Sequence, residues 1–176
     1  MPMVGLRIRD AQESDRGAIE AVTLAAYQQY AAVMPAHWEA YRQNIRATLA
    51  AVEPAMQVVA EQERVIVGTV ILYPAGTVFA IPGSPSITRT LAEVRLLAVA
   101  PEARGRGVGE TLMHECIRRA RQSGATALTL HTTDMMRAAM RLYERLGFER
   151  APELDFHPVP DITIRGHRLE LKEATS

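Results

Sequence analysis

The segment Arg104-Gly105-Arg106-Gly107-Val108-Gly109 has the residue types and spacing of an anion site. It lies between an apolar run that ends at Pro101 and an amphipathic stretch, so a strand gives way to a glycine loop that opens into a helix. Backbone N–H groups at a helix start have no intrahelical partner and carry partial positive charge, which makes them donors to anions. Gly105, Gly107 and Gly109 remove the side chains that would hold a phosphate away from those amides. Arg104 and Arg106 add two permanent positive charges. The combination points to a pyrophosphate. Three glycines taken alone suit a tight turn into a helix equally well.

Two common pyrophosphate carriers do not fit. The dinucleotide fingerprint G-x-G-x-x-G is missing, because the glycines here read G-x-G-x-G. A nucleoside-triphosphate loop needs Gly-Lys followed by Ser or Thr, whereas Gly109 is followed by Glu110 and Thr111. Other reactive side chains are sparse. Cys116 is the single cysteine and falls on the apolar face of the helix after the loop, which argues against a nucleophile and excludes an intrachain disulfide. The five histidines show no ligand spacing with carboxylates or cysteine, so no metal is expected.

Composition narrows the partners. The chain has 176 residues, 48% hydrophobic and 23% charged, the balance of a single globular domain spanning 1–176. Acids and bases number 20 each and are mixed along the chain, which excludes a nucleic-acid stripe. Lys172 is the sole lysine among the basic residues, a bias that reads as genome composition. No apolar window is long enough to span a bilayer, and MPMVGLRIRD lacks the pattern of a secretory signal. A cytoplasmic protein with no membrane partner is the expectation.

The elements that must position the loop follow from periodicity. Residues 4–9 alternate as a first strand, and Ser14 or Asp15 caps a helix reaching about Tyr30. Pro35 suits the first turn of a second helix, to about Val52. Strands are expected at about 56–61 and 65–73, joined by a polar turn over Glu61 to Arg64. Residues 74–90, rich in Pro, Gly, Ser and Thr, read as a long binding loop or lid. A strand over 91–99 leads into the glycine loop, and a helix runs from about 107 to 123, where Gly124 stops it. A strand over 126–132 follows, then a helix from an Asp134 cap to Leu146, then strands at about 148–157 and 162–171. The order β-α-α-β-β-β-α-β-α-β-β indicates an α+β fold.

Arg104 to Gly109 also resembles the [QR]-x-x-G-x-[GA] motif of the GNAT N-acetyltransferase superfamily, with a strand ending V-x-P before it. About 25 residues on, Ala139-Met140-Arg141-Leu142-Tyr143-Glu144-Arg145-Leu146-Gly147-Phe148 is similar to that family's second motif, a helix ending Y-x-x-x-G-F. The resemblance covers 91–150 and implies a mixed, mostly antiparallel twisted sheet with helices on both faces. It implies acetyl-CoA as cosubstrate, its pyrophosphate on the amides of Gly105, Arg106, Gly107, Val108, Gly109 and Glu110. The pantetheine arm would pair with backbone at Leu97, Ala98 and Val99, where the family's strands 91–99 and 126–132 splay apart. Met136 stands where the family usually carries an asparagine against the coenzyme arm or substrate, so a polar contact is missing there.

The resemblance also suggests roles. Glu93, in an otherwise apolar strand 13 residues before Arg106, matches a glutamate that some members use as general base. Free alkylamines have a pKa near ~10.4 and arrive as cations, so a base is needed. Such a carboxylate works through water or with a raised pKa. Glu93 could instead simply pair with Arg95, two residues along the strand. Tyr143 occupies the family's general-acid position, though it also lies on an apolar helix face with Met136, Ala139 and Met140. The amide of Leu97 is the oxyanion donor by position. His131, ending its strand, is either an alternative base or structural. Tyr27, Tyr30, Trp38 and Tyr41 either line the acceptor pocket or pack the first two helices together.

The implied activity is N-acetylation of a primary amine on a small molecule or a protein N-terminus. The alternatives are a non-catalytic acyl-CoA-binding or regulatory domain, and an enzyme using another acyl-CoA. Nucleotide binding through the same glycines is a further one. A strand over 162–171 left exposed at the sheet edge, together with the family's habit of pairing through its last strands, points to a homodimer.

Overall fold

The computed structural model describes residues 4–79, 87–88 and 91–172. Ten strands and four helices are assigned among them. In chain order these are β1 (Arg7–Asp10), α1 (Arg16–Tyr27), α2 (Trp38–Ala51), β2 (Gln57–Gln62), β3 (Val65–Tyr73), β4 (Val78–Phe79), β5 (Ile87–Thr88) and β6 (Ala92–Val99). Then come α3 (Val108–Gln122), β7 (Ala127–Thr132), α4 (Arg137–Arg145), β8 (Glu149–Arg150), β9 (Phe156–Val159) and β10 (Ile162–Glu170). The strand order is β1-β2-β3-β6-β7-β10-β8, with β9 also paired to β10 and β4-β5 forming a separate ladder. Pairings β1/β2, β2/β3, β7/β10, β8/β10 and β9/β10 are antiparallel, and β6/β7 is parallel. This is the α+β fold that the element order indicated, with the mixed, mostly antiparallel sheet that the resemblance implied.

The chain divides into two compact units, Met1–Leu72 with Leu96–Cys116, and Tyr73–Arg95 with Ile117–Ser176. In the first, consecutive residues of β2 (Gln57–Ala60) and β3 (Val67–Ile71) are buried without alternation, so both faces of those strands are covered. The start of α3 covers one of them. At Gly68 of β3 an added Cβ would lie 2.8 Å from Val108 Cγ1, 3.0 Å from Leu112 Cδ1 and 3.2 Å from the Ala98 carbonyl. Val108 and Leu112 are 1% and 0% exposed, and burying two such side chains contributes about 1.5–3 kcal/mol each. A glycine in β3 therefore sets how closely the helix start approaches the strand. Residues Glu63 and Arg64, at φ +50° and +67°, make the two-residue turn between β2 and β3.

In the second unit, β10 is the centre of the pairing. It runs against β7 from Arg165↔Thr132 to Glu170↔Ala127 and against β8 and β9 on its other side. It is not an edge, because the segment expected as one strand over 148–157 is two short ones separated by the 3-10 turn Pro152–Leu154. An exposed last strand, one of the two grounds for expecting a homodimer, is therefore absent. A second difference concerns α4. Asp134 does not cap it: the N-cap is Met136, without a side-chain cap bond, and Asp134 pairs with Arg165 at 3.0 Å. The first helix likewise begins at Arg16 after a 3-10 turn, since the Asp15 carboxylate is held by Arg9 at 2.7 Å and by the Gln12 amide at 2.8 Å. Pro35 precedes α2 instead of lying in its first turn. Within the expected 74–90 loop, Val78 and Phe79 pair with Thr88 and Ile87; residues 80–86 and 89–90 lie outside the described residues.

Candidate active site

The glycine loop belongs to the first unit. Gly105 and Gly107 adopt φ +74° and +80°, conformations that cost an L-residue about 1–2 kcal/mol, and an added Cβ at either would meet nothing within 4 Å. The loop therefore spends its glycines on exposing backbone to open space. Val108 begins α3, and the first turn closes when the Thr111 amide donates to the Gly107 carbonyl at 3.0 Å. The amides of Val108, Gly109 and Glu110 precede that bond and have no acceptor within the helix. Arg104 is placed differently from the simple expectation: its guanidinium donates to the Ala26 carbonyl at the end of α1, at 2.9 Å. Arg106 is exposed, and the exposed Glu110 carboxylate lies 3.7 Å from His114. Cys116 is fully buried on α3.

The end of β6 carries a feature with no sequence signal. Leu96 has φ +50°, which for a branched, bulky residue is an outlier that persists only when its surroundings enforce it. The strand's burial changes there: Ala92, Glu93 and Val94 are all buried, Arg95, Leu96 and Leu97 are all half-buried, and Ala98 returns to the core. Tyr27 donates its hydroxyl to the Leu97 carbonyl at 3.2 Å. Its ring also joins a chain of aromatic contacts, with Tyr30 at 5.8 Å and Tyr41 at 6.1 Å, and Trp38 lies 6.2 Å from Tyr41. Burial pushes the Tyr30 phenol above its ordinary pKa, opposed by the nearby Arg104 charge. The cluster both packs α1 on α2 and fixes the carbonyl of Leu97.

Glu93, His131 and Tyr143 belong to the second unit. The parallel ladder of β6 with β7 covers two residue pairs, Ala92↔Leu128 and Glu93↔Thr129. Glu93 is 7% exposed, and its Oε1 lies 3.6 Å from Nδ1 of His131. His131 Nε2 sits 3.0 Å from the Leu154 carbonyl, and its ring meets Phe156 edge-on at 5.3 Å. Thus two residues 38 apart in sequence, each a separate base candidate, face each other. Thr133, just past β7, holds a buried hydroxyl with no partner among the described residues. An unsatisfied buried group costs about 1–3 kcal/mol, which a hydrogen-bonding ligand recovers. Met136 is half-buried at the start of α4.

The second motif has a direct physical reading. Gly147 at φ +93° ends α4; its amide donates to the Glu144 carbonyl and the Phe148 amide donates to Tyr143, both at 3.0 Å. These are the two bonds of a Schellman cap, which also places the residue after the glycine against the one five positions earlier. The rings of Tyr143 and Phe148 are 5.8 Å apart at 60°. The spacing Y-x-x-x-G-F is therefore the spacing of the cap that holds the tyrosine, 7% exposed, in place. Among the described residues no group of three or more His, Cys, Asp or Glu side chains is placed to hold a metal. No described helix is long and apolar enough to cross a membrane.

A family model described as the acetyltransferase (GNAT) family matches residues 5–148. The chain belongs to that family. It is 31% identical over 99 residues to N-acetyltransferase 8B of Homo sapiens, a match covering 56% of this chain and 40% of that protein. The aligned segment spans less than half the length of such curated relatives, with 48% for an uncharacterized N-acetyltransferase of Schizosaccharomyces pombe at 32% identity over 81 residues and 46% of this chain. Among solved structures, Ard1 of Thermoplasma volcanium superposes with a TM-score of 0.69 at 20% identity, covering 97% of this chain and all of that one (100%). That likeness shows the fold.

Proposed function

We propose that this protein transfers an acetyl group from acetyl-CoA directly to a primary amine, carried by a small molecule or a peptide N-terminus. The observation that carries this reading is the pair of positive-φ glycines, Gly105 and Gly107, with open space where a side chain would project and the α3 amides directly behind them. A GNAT acetyltransferase of Brucella melitensis, similar in fold at a TM-score of 0.62 and 21% identity over 97% of this chain and 91% of that one, was solved with acetyl-CoA, which supports the same cosubstrate here. Acetyl-CoA supplies an activated acyl carbonyl. Amides from Gly105 to Glu110 hold its pyrophosphate, and Leu97 to Val99 pair with its pantetheine arm.

Three tasks remain for the chain. Glu93 takes the proton that an ammonium must lose before its lone pair is nucleophilic. The Leu97 amide donates to the oxygen that gains charge as the carbon–nitrogen bond forms. Tyr143 gives its phenolic proton to the departing thiolate. Balanced acids and bases favour a small amine or a peptide N-terminus over a strongly charged macromolecular target.

The test is thiol release from acetyl-CoA across a panel of small primary amines and unblocked peptides. Amine-dependent release is expected, falling by about 10²–10⁴-fold in Glu93→Gln and in Tyr143→Phe. Tight binding of acetyl-CoA without release for any amine would make the chain a binding domain. Faster turnover with succinyl-CoA would reassign the acyl group.

A further inference from the structure

Glu93, His131, Ile164 and Phe156 of the second unit lie in a row on one face of the sheet. Directly paired residues share a face, and alternate residues along a strand return to it. Glu93 pairs with Thr129 of β7, which puts it on the face of His131, two residues further on. His131 pairs with Gly166 of β10, and Ile164, two residues back along β10, pairs with Phe156 of β9. The side chains follow this register. Glu93 Oε1 lies 3.6 Å from His131 Nδ1, and the His131 ring meets Phe156 edge-on at 5.3 Å. Along the row the face changes from a carboxyl group, past an imidazole, to the apolar surface of Phe156 and Ile164.

Phe156 is 50% exposed and Ile164 half-buried. A single exposed apolar side chain is ordinary. Phe156 differs in how firmly its backbone is held. Asp155, the residue before it, accepts from the Gly166 amide and from both terminal nitrogens of Arg150, each at 2.8 Å. Arg150 in turn donates to the Gly166 carbonyl at 2.7 Å. That guanidinium, first, and the Gly166 amide, second, hold the Asp155 carboxyl far below the ordinary carboxylate range, so the clamp stays charged across physiological pH. An added Cβ at Gly166 would fall 2.3 Å from Leu154 Cβ and 2.8 Å from the Ala151 carbonyl, so only glycine lets the turn Pro152–Leu154 sit this close. His131 Nε2, 3.0 Å from the Leu154 carbonyl, ties the imidazole to the same turn. An exposed ring on a backbone fixed in this way loses little freedom when a ligand covers it. The charged neighbours leave its surface apolar. His157 and Arg165 alternate to the opposite face, where they meet Thr163 and Asp134. Arg168 shares the face but lies beyond Gly166, away from Phe156, and pairs with Glu170.

We propose that Phe156 is a specificity-determining residue, and that the acceptor is a small primary amine whose amino group is joined by a short alkyl linker to an aromatic ring. This rests on the acetyltransferase reading, which makes Glu93 the base. The amino group docks at Glu93, the linker passes His131, and the ring lies against Phe156 and Ile164. An aromatic body suits the surface better than an aliphatic one, because a ring–ring contact adds to the apolar area buried. A second ammonium, or the polar backbone of a peptide, would give up its hydration against an apolar surface and be disfavoured.

Two measurements test this. The first compares kcat/KM for phenethylamine, butylamine, putrescine and triglycine, read as thiol release from acetyl-CoA. Phenethylamine is expected to lead butylamine by about 10-fold in the wild-type protein, with putrescine and triglycine lower still. Phe156→Ala should abolish that lead, mainly through the KM for phenethylamine, and Phe156→Tyr, which keeps the ring, should retain it. Phe156→Leu keeps the strand apolar and serves the same comparison if thermal unfolding shows the alanine variant unfolded. A wild-type preference for putrescine or triglycine overturns the proposal. So does an equal loss for all four amines in the variant, which is the mark of a merely structural phenylalanine. The second measurement needs no turnover: intermolecular NOEs between phenethylamine and the Phe156 ring, in wild-type protein saturated with coenzyme A. Contacts to Phe156 are expected, and their absence while phenethylamine binds elsewhere overturns the proposal. Wild-type protein that turns over no amine refutes the acetyltransferase reading instead, and the NOEs still decide whether Phe156 receives an aromatic amine.

Discussion

Replacing Gly107 by alanine separates backbone strain from ligand binding, because the same helix supplies its own control. Gly107 before α3 and Gly124 after it have nearly the same conformation, φ +80° and +79°, and at neither does an added Cβ meet anything within 4 Å. Each alanine therefore costs the folded state only the left-handed penalty of about 1–2 kcal/mol. For a chain of this size that lowers Tm by about 2–8 °C, equally in both variants. Only at Gly107 does the methyl group enter the space assigned to the pyrophosphate. Losing one charge-assisted hydrogen bond of about 1.5–3 kcal/mol weakens acetyl-CoA by about 10- to 100-fold. Thermal unfolding gives the first quantity and isothermal titration with acetyl-CoA the second. Equal Kd values for Gly107→Ala and Gly124→Ala would refute the assignment of the loop.

Further consequences follow from the packing. Gly68→Ala pushes a methyl against Val108 and the Ala98 carbonyl, and overpacking of this kind costs about 1–3 kcal/mol; because it displaces the start of α3, titration should also show weaker acetyl-CoA binding. Exchanging Glu63-Arg64 for Asn-Gly relieves two positive-φ residues in an exposed two-residue turn and should raise stability by about 0.5–2 kcal/mol in urea unfolding, with no change in turnover. Burial, ahead of any charge, holds the His167 imidazole below its ordinary value of 6.5. The unfolded chain therefore binds a proton first, and this contribution is intact above pH 6.5 and is lost as pH falls below it. A His167→Asn variant should flatten the Tm-against-pH curve below pH 6.5; an unchanged slope would show that another group is responsible.

What the sequence made legible was local. The Tyr143–Gly147–Phe148 spacing could be read because the Schellman cap is built from neighbours in the chain. The glycine loop could be read because positive φ selects glycine. Leu96 left no trace, since its φ of +50° is imposed on an ordinary residue type. Gly68 and Gly166 did leave one: an isolated glycine within a strand often marks close backbone approach, and at both an added Cβ would fall within 3 Å of a neighbouring side chain. Asp134 looked like a cap until Arg165, 31 residues away, claimed it. The facing of Glu93 and His131 depends on strand register and on a 3-10 turn held by Arg150 and Asp155, none of which is encoded by spacing.

The most direct test is thermal unfolding with acetyl-CoA, ATP and NAD in parallel. Acetyl-CoA at about 100 times its Kd should add roughly 2.7 kcal/mol, raising Tm by about 5–10 °C, while ATP and NAD leave it unchanged. Folded protein that shows no shift with acetyl-CoA, or the same shift with ATP, would mean the loop after β6 is a helix start or a nucleotide site, and the assignment of an acetyltransferase centre would fall with it.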